Sequence, residues 1–241
     1  MPMISQEQPK PKPPPNAEEI LSQFSSPLLI MCRISSRGFL RIVKWVRRVS
    51  WQATGVSNIE QSSTPIIFAS NHQSHVDTHV ILDSIPKHIR KRTAVAAAFD
   101  HFADADGSSK KKRVIQFLVA SIWHAFGIER IHSPLSSIRT MQNLLGLGWS
   151  IVIYPEGTRS RTGEIQEFKA GIALVAKKSG CGIIPVYVHG GLHVLPEATY
   201  IPNPGKITVS FGKALHFKDN ESNAEFIARV ESAVRTLASN Q

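Results

Sequence analysis

The apolar positions of this chain fall into two alternating kinds of run. Short segments rich in β-branched and aromatic residues occupy Pro65–Ser70, Thr93–Ala98, Trp149–Tyr154, Ile183–His189 and Lys206–Gly212, and such segments suit strands. Between them, longer stretches carry apolar residues every three or four positions. These predict helices over Thr78–Ile85, Lys111–Ala125, Leu135–Leu145, Lys169–Lys178 and Ala224–Ala238. In the last, Ile227, Val230, Val234 and Leu237 make one apolar stripe, as expected of a helix laid over a core. Strands alternating with helices from residue 64 onward predict an α/β fold: a layered, mostly parallel central sheet flanked by helices.

The N-terminal quarter reads differently. Pro9, Pro11, Pro13, Pro14 and Pro15, interleaved with Lys10 and Lys12, resist both helix and sheet, so residues 1–16 are expected to form a disordered leader. Within residues 17–58 the segment 27–51 is two-faced. Arg33, Arg37, Arg41, Lys44 and Arg48, with Arg47 beside them, fall on one side of a helix. Ile34, Phe39, Ile42, Val43, Trp45, Val46 and Val49 fall on the other. That is the pattern of an amphipathic helix lying in a membrane interface, or of a surface helix packing its apolar face on the domain. On an anionic leaflet each cation contributes roughly 1 kcal/mol. The folded domain is then expected over residues 59–241.

Charge sharpens this picture. Lys and Arg number 28 against 18 Asp and Glu, a net +10 over 241 residues, which favours anionic partners. Aromatics are 7% of the chain and are not interleaved with basic residues on a strand, so a nucleic-acid partner is not expected. Two cysteines, Cys32 and Cys181, make no CxxC, which indicates neither a disulfide scaffold nor a Cys-rich zinc site. No run reaches the ~18 apolar residues of a spanning helix, and the polar, proline-rich first residues do not read as a cleavable signal peptide. Lys110, Lys111, Lys112 and Arg113 close a polar loop over 100–113 and add to the one-sided charge.

Two stretches carry candidate chemistry, each just after an apolar strand, where open α/β sheets place ligands. In Asn71-His72-Gln73-Ser74-His75-Val76-Asp77, a turn returns the Asp77 carboxylate to the His72 imidazole. A carboxylate on one ring nitrogen fixes the tautomer and leaves the other free to accept a hydroxyl proton. In Tyr154-Pro155-Glu156-Gly157-Thr158-Arg159-Ser160, Gly157 permits close backbone approach, and Thr158, Arg159 and Ser160 offer donors; Arg159 suits a forked phosphate contact. Glu156 is unusual in an anion site: it either bonds a ligand hydroxyl or pairs with an arginine. Arg130 in Gly127-Ile128-Glu129-Arg130 is either a further phosphate ligand or a surface residue. The cluster His72, His75, Asp77 and His79 raises a metal hydrolase, but its spacing departs from H-x-H-x-D-H, and no metal is expected. G-x-S-x-G, G-x-x-x-x-G-K-[ST] and G-x-G-x-x-G are all missing, which argues against a serine hydrolase, a P-loop protein and a Rossmann nucleotide site.

Taken in order, these blocks resemble the glycerolipid acyltransferase family, the 1-acylglycerol-3-phosphate acyltransferases and their relatives. Asn71-His72-x4-Asp77 is similar to its N-H-x4-D block, Gly127–Arg130 to its second and Tyr154–Ser160 to its [FY]-P-E-G-T-R-S block, about 80 residues later. Ile184-Pro185-Val186 is similar to its fourth. The resemblance implies that His72 and Asp77 are catalytic and that Arg130, Glu156, Gly157, Thr158 and Arg159 bind substrate. It implies residues 59–241 as the catalytic domain, with no cofactor. The co-substrate would be acyl-CoA or acyl carrier protein, and the acceptor a lysophospholipid, with 1-acylglycerol-3-phosphate foremost. Residues 27–51 would make peripheral contact with the cytoplasmic face of a membrane. A non-catalytic lipid-phosphate-binding protein is the alternative reading of the same basic surface.

Overall fold

A computed structural model describes residues 16–98, 123–128, 134–197, 199 and 201–241 of the chain. Among these, seven strands form one sheet in the order β1-β7-β6-β2-β5-β3-β4. They are β1 (Val49–Thr54), β2 (Ile67–Ser70), β3 (Thr93–Ala98), β4 (Ala125–Ile128), β5 (Ser150–Ile153), β6 (Ile183–His189) and β7 (Gly205–Phe211). Every neighbouring pair is parallel except β6 with β7. The alternation of side chains along each strand supplies two cores. Ile67 and Ala69 of β2 and Ile151 and Ile153 of β5 face one side. There they meet α1 (Ala17–Phe24), α6 (Pro134–Gly146), α7 (Gly171–Ser179) and α9 (Asn223–Ser239). Phe68 of β2, Val152 of β5 and Ile184, Val186 and Val188 of β6 face the other side. They pack on α3 (Val56–Glu60), α4 (His75–Ser84), α5 (Lys87–Arg90) and α8 (Gly191–Val194).

Several expected boundaries need correction. The segment 17–58 is not separate from the domain. Asn16 caps α1, accepting from the Glu19 amide at 2.8 Å, and Ala17, Ile20 and Phe24 are buried in the main core. Residues 49–54, expected in the basic helix or its tail, form β1 and pair with β7 from Val49↔Gly205 to Thr54↔Ser210. Only Val49 of this edge strand is buried, so its sequence lacks the apolar run that marks an inner strand. The helix expected over Lys111–Ala125 ends too late, because Ala125 opens β4, beside β3; residues 111–122 lie outside the described residues, as do 1–15.

The basic helix, α2 (Pro27–Val46), stops before Arg47 and Arg48, and Arg48 takes a positive φ of 53° that turns the chain into β1. Leu29 is buried, while Leu28, Met31, Ile34, Phe39, Ile42, Trp45 and Val46 are all at least 60% exposed. The apolar face therefore is not packed on the domain. No described helix is long and apolar enough to cross a membrane.

Candidate active site

The strand order places β2 between β6 and β5, so the segments leaving the C-terminal ends of these three parallel strands meet at one edge. Asn71 fixes the end of β2. Its Nδ2 donates to the Val188 carbonyl at 2.9 Å, and its Oδ1 accepts from the Val188 amide at 2.7 Å. The chain then turns into α4, which begins three residues before the predicted Thr78. Ser74 is the N-cap and Asp77 the N3 residue of a capping box, the arrangement that satisfies two orphan amides at a helix start.

Asp77 is fully buried and does more than cap. Its Oδ2 accepts from the Gln73 and Ser74 amides, both at 2.7 Å, and lies 3.1 Å from His72 Nδ1. The helix start thus locks the carboxylate that orients the imidazole. With Nδ1 against a carboxylate, the proton sits on Nδ1 and the lone pair on Nε2. Nε2 has no hydrogen-bond partner among the described residues, and the side chain is 16% exposed. Tyr154 stacks on the ring at 3.9 Å between centroids and 16° between planes, and its hydroxyl pairs with Thr78 Oγ1 at 2.7 Å. Burial raises the Tyr154 phenol above its usual range, so it serves as a neutral platform. The remaining Asp77 oxygen, Oδ1, is buried without a hydrogen-bond partner and faces Gly191, at the start of α8, where a Cβ would overlap it.

The loop after β5 closes the other side. Gly157 adopts φ +79°, the left-handed region that favours glycine, and its amide donates to the Tyr154 carbonyl at 3.1 Å. Glu156, expected among the substrate ligands, is instead an internal clamp. It is buried, its Oε1 accepting from the His72 amide at 2.8 Å and its Oε2 from the Gln166 amide at 3.1 Å. Both oxygens accept from backbone amides, so the fold holds the carboxylate in place. The Ser160 amide returns the tie by donating to the His72 carbonyl at 2.8 Å. The two motifs are therefore one structure, with Glu156 positioning His72.

Desolvation, offset by the two amides, pushes the Glu156 pKa up to about 7 from 4.5. The folded protein holds a proton there that the unfolded chain has already released, so this group's contribution to stability falls as pH rises from 4.5 to about 7. In Glu156→Gln that part of the pH slope should vanish, read as the urea midpoint measured across this window.

Arg159 stands at the open side. It lies 3.6 Å from Glu197, which also meets Arg161 at 3.0 Å; such exposed pairs are worth at most about 1 kcal/mol and yield readily to a stronger anion. His75 beside it has its pKa lowered to about 4 by desolvation, then by the Arg159 and His72 charges. Although its side chain reaches solvent, His75 is thus neutral near pH 7, and Arg159 is the cation of the mouth. Thr158 is exposed, its Oγ1 donating to Gln166 at 3.3 Å. Gly127 and Ile128 end β4, while Arg130 lies outside the described residues. No three His, Cys, Asp or Glu side chains among the described residues group as a metal site, and His79 packs edge-on against Trp51 at 5.3 Å.

Sequence reasoning missed four contributors: Tyr154 as the stacking partner, Asn71 as the strand tie, Gln73, whose Nε2 holds the Gly163 carbonyl at 3.0 Å, and Gly191. None of these four carries a local signal, whereas the capping-box spacing from Ser74 to Asp77 does and could have placed Asp77 at a helix start.

The three-layer α/β fold thus brings a histidine oriented by a buried carboxylate and an arginine to one mouth at the C-terminal edge of the sheet. The acyltransferase family model matches residues 51–189, and the chain belongs to that family. It is 29% identical over 167 residues to the chloroplastic 1-acyl-sn-glycerol-3-phosphate acyltransferase LPAT1 of Arabidopsis thaliana, covering 67% of this chain and 42% of that one. With the 1-acyl-sn-glycerol-3-phosphate acyltransferase of Pseudomonas aeruginosa it shares 24% identity over 208 residues, covering 81% of this chain and 74% of that one. The chain spans about half the length of several plant and algal relatives it matches. The fold superposes on the crystal structure of the 1-acyl-sn-glycerophosphate acyltransferase PlsC from Thermotoga maritima. The TM-score is 0.65 at 21% identity, covering 92% of this chain and 87% of that one.

Proposed function

We propose that this protein transfers a fatty acyl group from an acyl thioester to the free hydroxyl of 1-acylglycerol-3-phosphate, forming phosphatidate. The single observation that carries this reading is the His72–Asp77 pair at 3.1 Å with Arg159 at the same mouth. His72 Nε2 takes the hydroxyl proton as the oxygen attacks the thioester carbon. The C–O bond forms, the C–S bond breaks, and the proton passes to the departing thiolate. Asp77 supports the imidazolium in between. General-base help of this kind is worth about 10²–10⁴-fold. No covalent acyl-enzyme is required.

Arg159, with Thr158, the turn at Gly157 and Arg130, is proposed to hold the acceptor phosphate, while Glu156 acts on the reaction only through His72. The acceptor is taken from the activity for which the relatives are named. The donor is acyl-CoA or acyl carrier protein, both anionic and suited to the net charge of +10. The exposed apolar face of α2 is proposed to lie in the interface from which the acceptor is drawn, on the cytoplasmic face of the membrane.

The test is thiol release from a long-chain acyl-CoA, with the carrier-linked thioester run in parallel. Release should depend on lysophosphatidate and fail with lysophosphatidylcholine. Arg159→Lys should raise the KM for lysophosphatidate about tenfold or more, because an ammonium cannot reproduce the forked contact. Release without any acceptor from both thioesters would instead mark a thioesterase.

A further inference from the structure

We infer that the cavity between α2, β1, α4 and α5 is a second lipid site, one that takes the phosphate of an anionic phospholipid headgroup. The cavity holds about 450 Å³ and is lined by Arg41 and Lys44 of α2, Lys87 and Arg90 of α5, Trp51 of β1, and His79 and Asp83 of α4. None of the described catalytic or acceptor residues lines it. His79 and Asp83 lie one and two turns along α4 from His75, about 6 and 12 Å away at the helical rise, so the cavity sits further along α4 than the mouth.

Its charge is unbalanced. Among the described residues Asp83 is the only carboxylate in the lining, and Arg90 Nη1 already holds it at 2.9 Å. Lys44 Nζ stands 3.5 Å over the Trp51 ring, a contact that fixes the ammonium without neutralising it. Arg41 and Lys87 have no ion pair among the described residues. Three cations thus face one space with no free acid among the described residues, an arrangement that a phosphate relieves through charge-assisted bonds.

The source of that phosphate follows from α2. Arg41 and Trp45 are neighbours at i and i+4 on the helix, so the cavity wall borders the exposed apolar arc formed by Ile34, Phe39, Ile42 and Trp45. One phospholipid supplies both partners: chains for the arc and a phosphate for the cavity. A choline or ethanolamine headgroup would bring its own cation against Arg41, Lys44 and Lys87, which makes the site selective for anionic lipid. This rests on the interfacial reading of α2, and the experiment separates the two.

Short-chain phosphatidylglycerol, kept below its micelle concentration, is titrated by calorimetry into the full chain, and vesicles of phosphatidylcholine with and without phosphatidylglycerol are co-sedimented with it. The site predicts one saturable phosphatidylglycerol, and preferential binding to the anionic vesicles. Both should weaken roughly thirtyfold when Arg41→Ala and Lys87→Ala are combined, at about fivefold for each charge lost near an anionic surface. Lys213→Ala, which removes one charge at an exposed position after β7, should leave the titration unchanged. Saturable binding without sedimentation on either vesicle would sustain the site and remove the interfacial role of α2. The inference is overturned if no saturable binding occurs, if Lys213→Ala weakens it as much as the pair, or if adenosine 3′,5′-bisphosphate takes the same site more tightly than the lipid. That last result would make the cavity a nucleotide-phosphate site.

Discussion

Asp77→Asn should lower turnover by about 10²–10⁴-fold while leaving the acceptor KM close to its native value. The amide keeps the carboxylate's shape, and its oxygen can still accept from the Gln73 and Ser74 amides and from His72 Nδ1 in place of Oδ2. What it loses is the negative charge that supports His72 once the ring has taken a proton, and that charge matters only during the reaction. The replaced Oδ1 position becomes a buried NH₂ against Gly191, where the native oxygen already has no partner. An unsatisfied buried donor costs about 1–3 kcal/mol, so the urea midpoint should fall as well. Paired kinetics and unfolding on the same preparation check both halves. A variant with native turnover would remove Asp77 from the mechanism.

Gly191→Ala should damage the same site from the opposite wall. A Cβ at this buried position overlaps Asp77 Oδ1 and comes within 3.6 Å of the Ser74 Cβ. The Asp77 carboxylate cannot retreat, since it is held by two amides and an imidazole, and Ser74, at ordinary contact distance, is fixed beside it as the N-cap of α4, its Oγ donating to the Leu195 carbonyl at 2.6 Å. Overpacking of this kind costs about 1–3 kcal/mol. A carboxylate displaced by about 1 Å also loses on the order of 10²-fold in rate through lost alignment. The expected result is a folded protein with a lowered urea midpoint and a kcat reduced by about that factor. Native activity in Gly191→Ala would show that α8 moves freely and does not buttress Asp77.

The inner elements were legible because they obey simple periodicities. Thr93–Ala98 and Ile183–His189 form strands with the predicted ends, each a continuous apolar run in a sheet covered on both faces. The two motifs were legible as well, along with their position after strands. The elements that were hidden depend on tertiary partners. β1 is recognisable only beside β7, and β4, a four-residue strand containing Gly127, only beside β3. The backbone contacts of Glu156 were hidden for a related reason. In sequence a glutamate among donors looks like a ligand contact. Its true partners are amides 84 and 10 residues away, and no local pattern records them. The capping box was the one local signal that tied Asp77 to the start of α4.

The most direct measurement compares native protein with His72→Ala in lysophosphatidate-dependent thiol release from a long-chain acyl thioester, alongside lysophosphatidate binding in the absence of donor. The Asp77-oriented base predicts that the mutant binds lysophosphatidate about as well as the native protein and loses acceptor-dependent release by at least 10²-fold. Release that survives in His72→Ala would contradict the account and place the proton acceptor elsewhere in the chain.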